Sequence, residues 1–129
     1  MLREPSEDLF LFFDKLPAAL PLFEALDERI ASELGASTRK VQRTQITYKN
    51  RYNFACISLP VRRVKGWPEV CIIVTFGLGR RLLSARIAVA TEPYPNRWTH
   101  HVTVSDTQEI DAELMGWLRE AYEFSMSKK

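Results

Sequence analysis

The apolar residues of this chain change their spacing twice, and this change restricts the fold more than any other feature. Near the N-terminus they recur every three to four residues, which is the period of one helix face. These residues are Leu16, Leu20, Phe23, Leu26, Ile30 and Leu34. The middle of the chain instead carries runs rich in Val, Ile, Thr and aromatic residues, which favour strands. The helical period then returns near the C-terminus, at Ile110, Leu114, Trp117, Ala121 and Phe124.

Five runs in the middle of the chain are predicted strands. They cover residues 41–49, 53–59, 70–78, 82–90 and 98–104. Short links with turn-forming residues join them, and residues 77–81 are predicted to form a tight hairpin. Short links favour antiparallel neighbours. The predicted fold class is therefore α+β, with a five-stranded antiparallel meander sheet and N- and C-terminal helices packed on one face.

Length and composition indicate a single α+β domain over residues 1–129. A chain of 129 residues with 46% hydrophobic content can bury a self-sufficient core. The apolar run at residues 9–13 is flanked by acids and is much shorter than the ~20 residues of a membrane span, so we expect no signal peptide and no membrane partner. Cys56 and Cys71 lack metal-binding spacing and are predicted to be reduced thiols of a cytoplasmic protein.

The charges are sorted by segment. Residues 36–101 carry twelve Lys or Arg and two acids, a net +10, whereas residues 1–35 carry −5 and residues 102–129 carry −3. The mild total of +2 therefore hides a basic sheet between acidic helices. Some acids have a local explanation, because Ser105 and Gln108 fit a capping box at the start of the last helix.

Alternation along the strands predicts which side chains point away from the helices. Residues predicted to face the helices are Ala55, Ile57, Leu59, Val70, Ile72, Val74, Phe76, Leu83, Ala85, Ile87, Val89, His100, Val102 and Val104. Residues predicted on the other, open face are Phe54, Cys56, Ser58, Cys71, Ile73, Thr75, Leu82, Ser84, Arg86, Thr99, His101 and Thr103. Such a face can bind a ligand, remain in water or join two copies of the chain.

Six residues form the predicted ligand-binding site. They are Lys49, Arg51, Arg86, Arg97, Trp98 and His101. Bases beside aromatic residues are typical of surfaces that contact phosphates and stack nucleobases, and they are equally common in ordinary turns. His100 and His101 are adjacent on a strand and point to opposite faces, so they cannot chelate one ion together. We find no nucleophile with a base and no acid–base pair, so we predict no catalytic residue, no metal ligand and no cofactor.

Three blocks of the sequence resemble a known family. They are the run at residues 48–55, the Arg-Trp-Thr-His-His-Val run at residues 97–102, and the helical pattern at residues 110–122. These blocks resemble an uncharacterised family catalogued as domain of unknown function 5655, which is similar in pattern to the YdhG-like proteins. The resemblance implies a small α+β fold and supplies no catalytic residues. One branch of the YdhG-like proteins has been regarded as frataxin-like iron carriers, which adds iron transport as an alternative.

The leading hypothesis is a non-enzymatic binding module for an anionic ligand, with nucleic acid as the first partner to test. A basic sheet surface would hold the ligand mainly through phosphate contacts. Two alternatives remain open. One is the frataxin-like metal carrier, which would use acids at the helix ends, and the other is a homodimeric scaffold joined through the open sheet face.

Overall fold

The computed structural model describes residues 7–60 and 64–127. Helix α1 (Glu7–Phe12), a 3₁₀ turn (Pro17–Ala19) and helix α2 (Leu20–Glu33) come first. Six strands follow: β1 (Thr38–Val41), β2 (Ile46–Lys49), β3 (Asn53–Ser58), β4 (Ile72–Leu78), β5 (Ile87–Tyr94) and β6 (Arg97–Val104). A second 3₁₀ turn (Thr107–Glu109) leads to helix α3 (Ala112–Met126). The predicted α+β class with an antiparallel sheet is confirmed.

The sheet has six strands rather than five because residues 41–49 form parts of two strands and a turn. Strands β1 and β2 pair in antiparallel orientation around this turn. The backbone N–H of Gln42 donates to the carbonyl of Gln45 at 2.9 Å. Both glutamine side chains also hydrogen-bond to the hydroxyl of Thr47. No glycine or proline marks this turn, so the strand-like pattern of the sequence runs straight through it.

The strand order is β1-β2-β3-β4-β6-β5, so the predicted meander is wrong. Strand β6 lies between β4 and β5, and residues 77–81 therefore do not form a hairpin. They begin a crossover, residues 79–86, which carries the chain past β6 to the edge of the sheet. Strand β5 suits an edge because it is mostly exposed and contains Pro93, which lacks a backbone N–H.

The crossover passes β6 on the face that carries His100. The backbone N–H of Leu82 donates to Nε2 of His100 at 3.0 Å. Leu82 is buried and Leu83 is 90% exposed, which is the reverse of the prediction. The prediction fails because alternation holds only for strands, and the strand here begins at Ile87 rather than at residue 82.

Helices α2 and α3 contact strand side chains that lie on the same face of the sheet. The hydroxyl of Tyr48 donates to Oδ1 of Asp27 on α2 at 2.6 Å. The ring of Phe76 stacks on Trp117 of α3 with centroids 6.2 Å apart. Tyr48 and Phe76 are both directly paired with Ala55, and paired residues point to the same side of a sheet. The large buried side chains of the core lie on this side.

Phe54 belongs to the same buried set, although alternation predicted it on the open face. The β2–β3 register shifts between Tyr48 and Lys49, which marks a β-bulge. The extra residue reverses the alternation, and the ring of Phe54 packs edge-on against Tyr122 of α3 at 5.1 Å.

Ion pairs between the sheet region and the helices account for part of the sorted charge. They join Arg39 to Asp27, Arg80 to Glu120, and Arg86 to both Asp111 and Glu113. Acids of the helices and of the cap of α3 thus pair with bases of β1 and of the crossover. Arg62 and Arg63 lie outside the described residues. The basic surface left for a ligand is smaller than the net charge of the middle segment suggests.

The start of α3 is capped, but not by the predicted pair. The capping box consists of Asp106 and Glu109 and closes the 3₁₀ turn before the helix. Asp111 then caps α3 itself, since its side chain accepts the N–H of Leu114 at 3.0 Å. Within the described part of the chain, no helix has both the length and the apolar character that crossing a membrane requires.

Candidate anion-binding face

The sheet face opposite α2 and α3, here called the open face, carries a row of directly paired side chains across all six strands. The row consists of Lys40, Thr47, Cys56, Thr75, His101 and Val89. Flanking positions add Ser58, Ile73 and Thr103 on one side and Gly77, Thr99 and Thr91 on the other. None of these twelve residues is acidic. The open face therefore displays hydroxyls and bases without a carboxylate in these rows.

His101 lies on the open face in β6, the strand next to the edge strand β5. Its Nδ1 is 2.8 Å from Oγ1 of Thr75. Burial lowers the pKa of His101, so the ring is neutral at neutral pH. When Thr75 donates to Nδ1, the ring proton lies on Nε2 and can be donated to a ligand. His100 points to the opposite face and is fully buried, as alternation predicts.

Arg97 reaches across the open face onto Gly77. A β-carbon built at Gly77 would lie 1.7 Å from Nη1 of Arg97, so only glycine permits this position of the guanidinium. Thr99 is paired with Gly77, and Thr75 lies two residues before it on the same face. Arg97 forms no ion pair with any residue in 7–60 or 64–127. Its N–H groups are therefore available beside two hydroxyl-bearing residues.

Lys49 and Arg51 lie at the same end of the sheet as Arg97. Lys49 ends β2, and antiparallel pairing places this end beside the end of β4 and the start of β6. Arg51 occupies the β2–β3 turn with its guanidinium 5.5 Å from the ring centroid of Tyr52. Tyr94 is paired with Arg97 and is 53% exposed. We call Lys49, Arg51, Tyr94 and Arg97 the basic end.

Trp98 was predicted as part of the site but points away from the open face. It is paired with the buried Leu78 and follows Arg97, so its side chain shares the side of His100. The guanidinium of Arg81 lies 5.4 Å from its ring centroid. An arginine thus already covers Trp98 on the side of the crossover.

Arg86 is also separate from the basic end, and its predicted position beside His101 is wrong. Its Nη1 donates to Oδ1 of Asp111 at 2.9 Å and to Oε1 of Glu113 at 3.0 Å, and its Nη2 donates to the carbonyl of Glu109 at 2.6 Å. Burial alone would lower the pKa of Arg86, but the bonds to both carboxylates raise it above its usual value. Arg86 fastens the start of α3, because the crossover runs on the helix side of β6.

The two cysteines are far apart in the register. Cys56 is paired with Thr75, whereas Cys71 precedes that threonine by four residues, which is about 13 Å along a strand. Both are free thiols. Burial raises the pKa of both, so neither is a reactive thiolate at neutral pH.

Acidic residues supply no metal site in the described part of the chain. No group of three His, Cys, Asp or Glu side chains comes together there in a way that could hold an ion. Asp106 and Glu109, which the iron-carrier alternative would use, form a cap instead. Oε1 of Glu109 accepts the backbone N–H of Asp106 at 3.0 Å, and Oδ1 of Asp106 accepts the backbone N–H of Gln108 at 2.8 Å.

A cavity of about 940 Å³ lies at the opposite end of the sheet. It opens between α1, the β1–β2 turn and the segment after β3, and its lining includes Leu11, Phe12, Leu59 and Trp67. None of the six predicted site residues lines it. The cavity and the basic end are therefore separate features. The lining of the cavity also contains Lys15, Arg43 and Thr44, but it includes the acids Asp14 and Glu69 as well, whereas the rows of the open face carry no acid.

Two residues that shape the site are missing from the sequence prediction: Tyr94 of the basic end, and Gly77, over which Arg97 lies. Gly77 was assigned to a hairpin, although a glycine inside a strand is itself a sign of close approach by another group. Tyr94 was assigned to a connection because Pro93 and Pro95 flank it, although proline is acceptable in an edge strand.

Comparison with known proteins yields a family and no closer relative. No curated protein and no solved structure matches the chain. Residues 11–125 match a family described as "Domain of unknown function (DUF5655)". This match confirms the resemblance that was drawn from the three sequence blocks.

Proposed function

The chain belongs to this family of unknown function. From the surface of the chain itself, we propose that it is a small non-enzymatic module that binds an anionic ligand at the basic end. Nucleic acid is the first ligand to test. The observation that carries the proposal is the guanidinium of Arg97, which lies on Gly77 without a carboxylate partner among the described residues. A planar set of N–H donors matches the oxygens of phosphate or carboxylate groups.

Neighbouring groups support an anion at this place. Lys49 is exposed at the end of β2 and forms no ion pair with a described residue. Asn53, which is directly paired with Lys49 and lies on β3, is also exposed. The imidazole of His101 and the hydroxyl of Thr99 add neutral polar groups on the same face. In this proposal the helices cover one side of the sheet and the open face carries the ligand.

Binding rather than catalysis explains the open face better. Thr75 and His101 make the contact of a nucleophile with a base. The flanking rows offer no carboxylate that could orient the imidazole or act as a second acid–base group.

The test is titration of labelled single-stranded and duplex oligonucleotides at low salt, followed by fluorescence anisotropy. We expect binding that Arg97→Ala weakens about tenfold, since a charged hydrogen bond contributes about 1.5–3 kcal/mol. Arg43→Ala is the matched control, because Arg43 is exposed in the β1–β2 turn beside the cavity and its loss changes the net charge equally. Equal weakening by both variants, or no binding at all, would contradict the proposal.

The homodimer alternative predicts a different result for the same face. Light scattering should show a monomer if the open face is a ligand site. A dimer that Thr99→Glu dissociates would instead assign the face to self-association. That substitution places a carboxylate beside Gly77 without touching the helices.

A further inference from the structure

We propose further that the anionic ligand is a single-stranded polynucleotide that crosses the strands along the basic end. This inference rests on the proposed function and names the class of ligand. It depends on two arginine–tyrosine pairs at the same end of the sheet, one in the β2–β3 turn and one at the start of β6. Each pair combines a positive charge with an aromatic ring, which is how proteins hold a phosphate and its base together.

The first pair is Arg51 with Tyr52. The guanidinium lies 5.5 Å from the ring centroid, a distance at which a cation and an aromatic ring attract each other. Arg51 is exposed and has no carboxylate partner among the described residues. The flat outer side of the guanidinium therefore offers a base a stacking surface at the β2–β3 turn.

The second pair is Tyr94 with Arg97, which are directly paired across β5 and β6. Tyr94 is 53% exposed on the edge strand, and Arg97 extends from the same end over Gly77. The ring lies on β5 and the guanidinium over β4, about two strand spacings or ~10 Å apart, so one can stack a base while the other holds a neighbouring phosphate. This pair contributes the stacking group that Trp98 was predicted to contribute.

The distance between the pairs decides the length of the ligand. Strands β2 and β6 are separated by three strand spacings, which amounts to about 14 Å. One nucleotide cannot contact both pairs over this distance. Asn53 lies between the pairs on β3, with its partner Lys49 on β2. Gly77 on β4 has no side chain that would separate the two pairs, and Thr99 beside it adds a hydroxyl. An extended strand of about four nucleotides, the lower limit for small single-strand modules, can contact all of these groups.

A duplex fits the basic end less well. Proteins read duplex DNA by placing a helix or a two-stranded ribbon in the major groove. The ring and hydroxyl contacts of α2 and α3 are made on the other face of the sheet, so neither helix is available for this. The basic end presents side chains of a pleated surface, and these can reach bases only when the bases are unpaired.

The experiment compares oligothymidylates from about two to sixteen nucleotides with a duplex and with inorganic polyphosphate. We expect affinity to rise steeply up to about four nucleotides and to exceed that of a duplex of equal charge at least tenfold. The slope of log affinity against log salt concentration should be about −2. Each of the three basic side chains, Lys49, Arg51 and Arg97, contributes about −0.7 when it neutralises a phosphate of a single strand.

Tyr94→Ala separates stacking from charge. We expect it to weaken oligothymidylate binding about tenfold and to leave polyphosphate binding unchanged. Phe10→Ala is the control, because Phe10 is 58% exposed on α1 and lies outside the basic end. Tyr94→Leu, which keeps an apolar side chain but lacks the ring, is a second variant should the alanine variant fail to fold.

The outcomes distinguish the two proposals. Equal binding of oligothymidylate and polyphosphate, with no effect of either Tyr94 variant, would overturn the single-strand inference and leave the anion-binding function standing. Tighter binding of the duplex would do the same. Absence of binding to every anion at low salt would overturn both.

Discussion

Leu82 donates its backbone N–H to Nε2 of the fully buried His100 at 3.0 Å, and this bond fastens the crossover to β6. The imidazole also stacks on Phe76 with centroids 5.4 Å apart. An acceptor nitrogen carries no proton, so the bond requires a neutral ring. Protonation of the buried histidine would therefore break the bond that holds the crossover on β6.

We expect stability to fall as the solution becomes acidic. Burial lowers the pKa of His100, so the unfolded chain binds the proton more readily than the folded one. The free energy of unfolding should have its full value above the ordinary histidine pKa of about 6.5, and it should decrease as the pH falls below that value. The decrease is at most about 1.4 kcal/mol per pH unit for each histidine. Urea unfolding at a series of pH values measures it.

His101 changes stability in the same direction, because burial also lowers its pKa. His100→Gln and His101→Gln therefore serve as paired variants. Glutamine at position 100 can still accept the N–H of Leu82 but does not titrate. We expect each variant to flatten the pH profile in part. An unchanged profile in both would show that other groups cause the acid sensitivity.

Gly77→Ala should weaken anion binding without changing any charge. The new methyl group would occupy the place of Nη1 of Arg97, and the guanidinium must then move away from the face. We expect a loss of affinity close to that of Arg97→Ala, measured by the same anisotropy titration. Gly116→Ala on α3 is the control, because no atom lies within 4 Å of its added β-carbon. Retained affinity in Gly77→Ala would show that the position of the guanidinium is not important.

The sequence predicted the elements of this fold better than their arrangement. Helical and strand periods are local properties, and they located α2, α3 and most strands. The insertion of β6 between β4 and β5 depends on long-range pairing, such as Ile72 with Val104, that no local signal records. The turn at residues 42–45 and the bulge at Phe54 contain no glycine or proline, so no local signal predicts them either.

The candidate site was predicted in part for the same reason. Lys49, Arg51 and Arg97 lie at the same end of the sheet because their strands alternate in direction. Arg86 was placed with them by alternation over residues that are not a strand. The contact of Arg86 with the start of α3 is hard to recognise from sequence, because its acidic partners Asp111 and Glu113 lie more than twenty residues away in the chain.

Arg86→Ala should destabilise the fold, in contrast to Arg97→Ala. Arg86 bonds to two carboxylates and a carbonyl at the start of α3. Both carboxylates are about half exposed, which weakens the ion pairs. We therefore expect a loss of roughly 1–2 kcal/mol in the free energy of unfolding. Arg97→Ala should stay within about 0.5 kcal/mol of the parent, because it removes no internal bond.

Chemical denaturation of the two variants measures this difference, and circular dichroism checks whether α3 is retained. A loss of anion binding in Arg86→Ala with unchanged stability would contradict the structural role. It would return Arg86 to the ligand site.

Asp27→Ala should be among the most destabilising substitutions in the chain. Its carboxylate accepts Nη1 of Arg39 at 2.7 Å and the hydroxyl of Tyr48 at 2.6 Å. The side chains of Arg39 and Asp27 are each only 11% exposed. Removing the carboxylate leaves a mostly buried charge without this partner, which costs about 3–5 kcal/mol. Tyr48→Phe removes only one of the two bonds and should cost about 1–2 kcal/mol.

Glu120→Ala is the matched control, because Glu120 also holds an arginine, Arg80, through two bonds of 2.9 Å. That pair is far more exposed, at 61% and 39%. Water replaces the lost partner there, so we expect a cost of at most about 1 kcal/mol. Equal losses from Asp27→Ala and Glu120→Ala would show that burial does not decide the strength of these pairs. The double variant of Asp27→Ala with Tyr48→Phe should lose less than the sum of the single variants, since both remove the same bond.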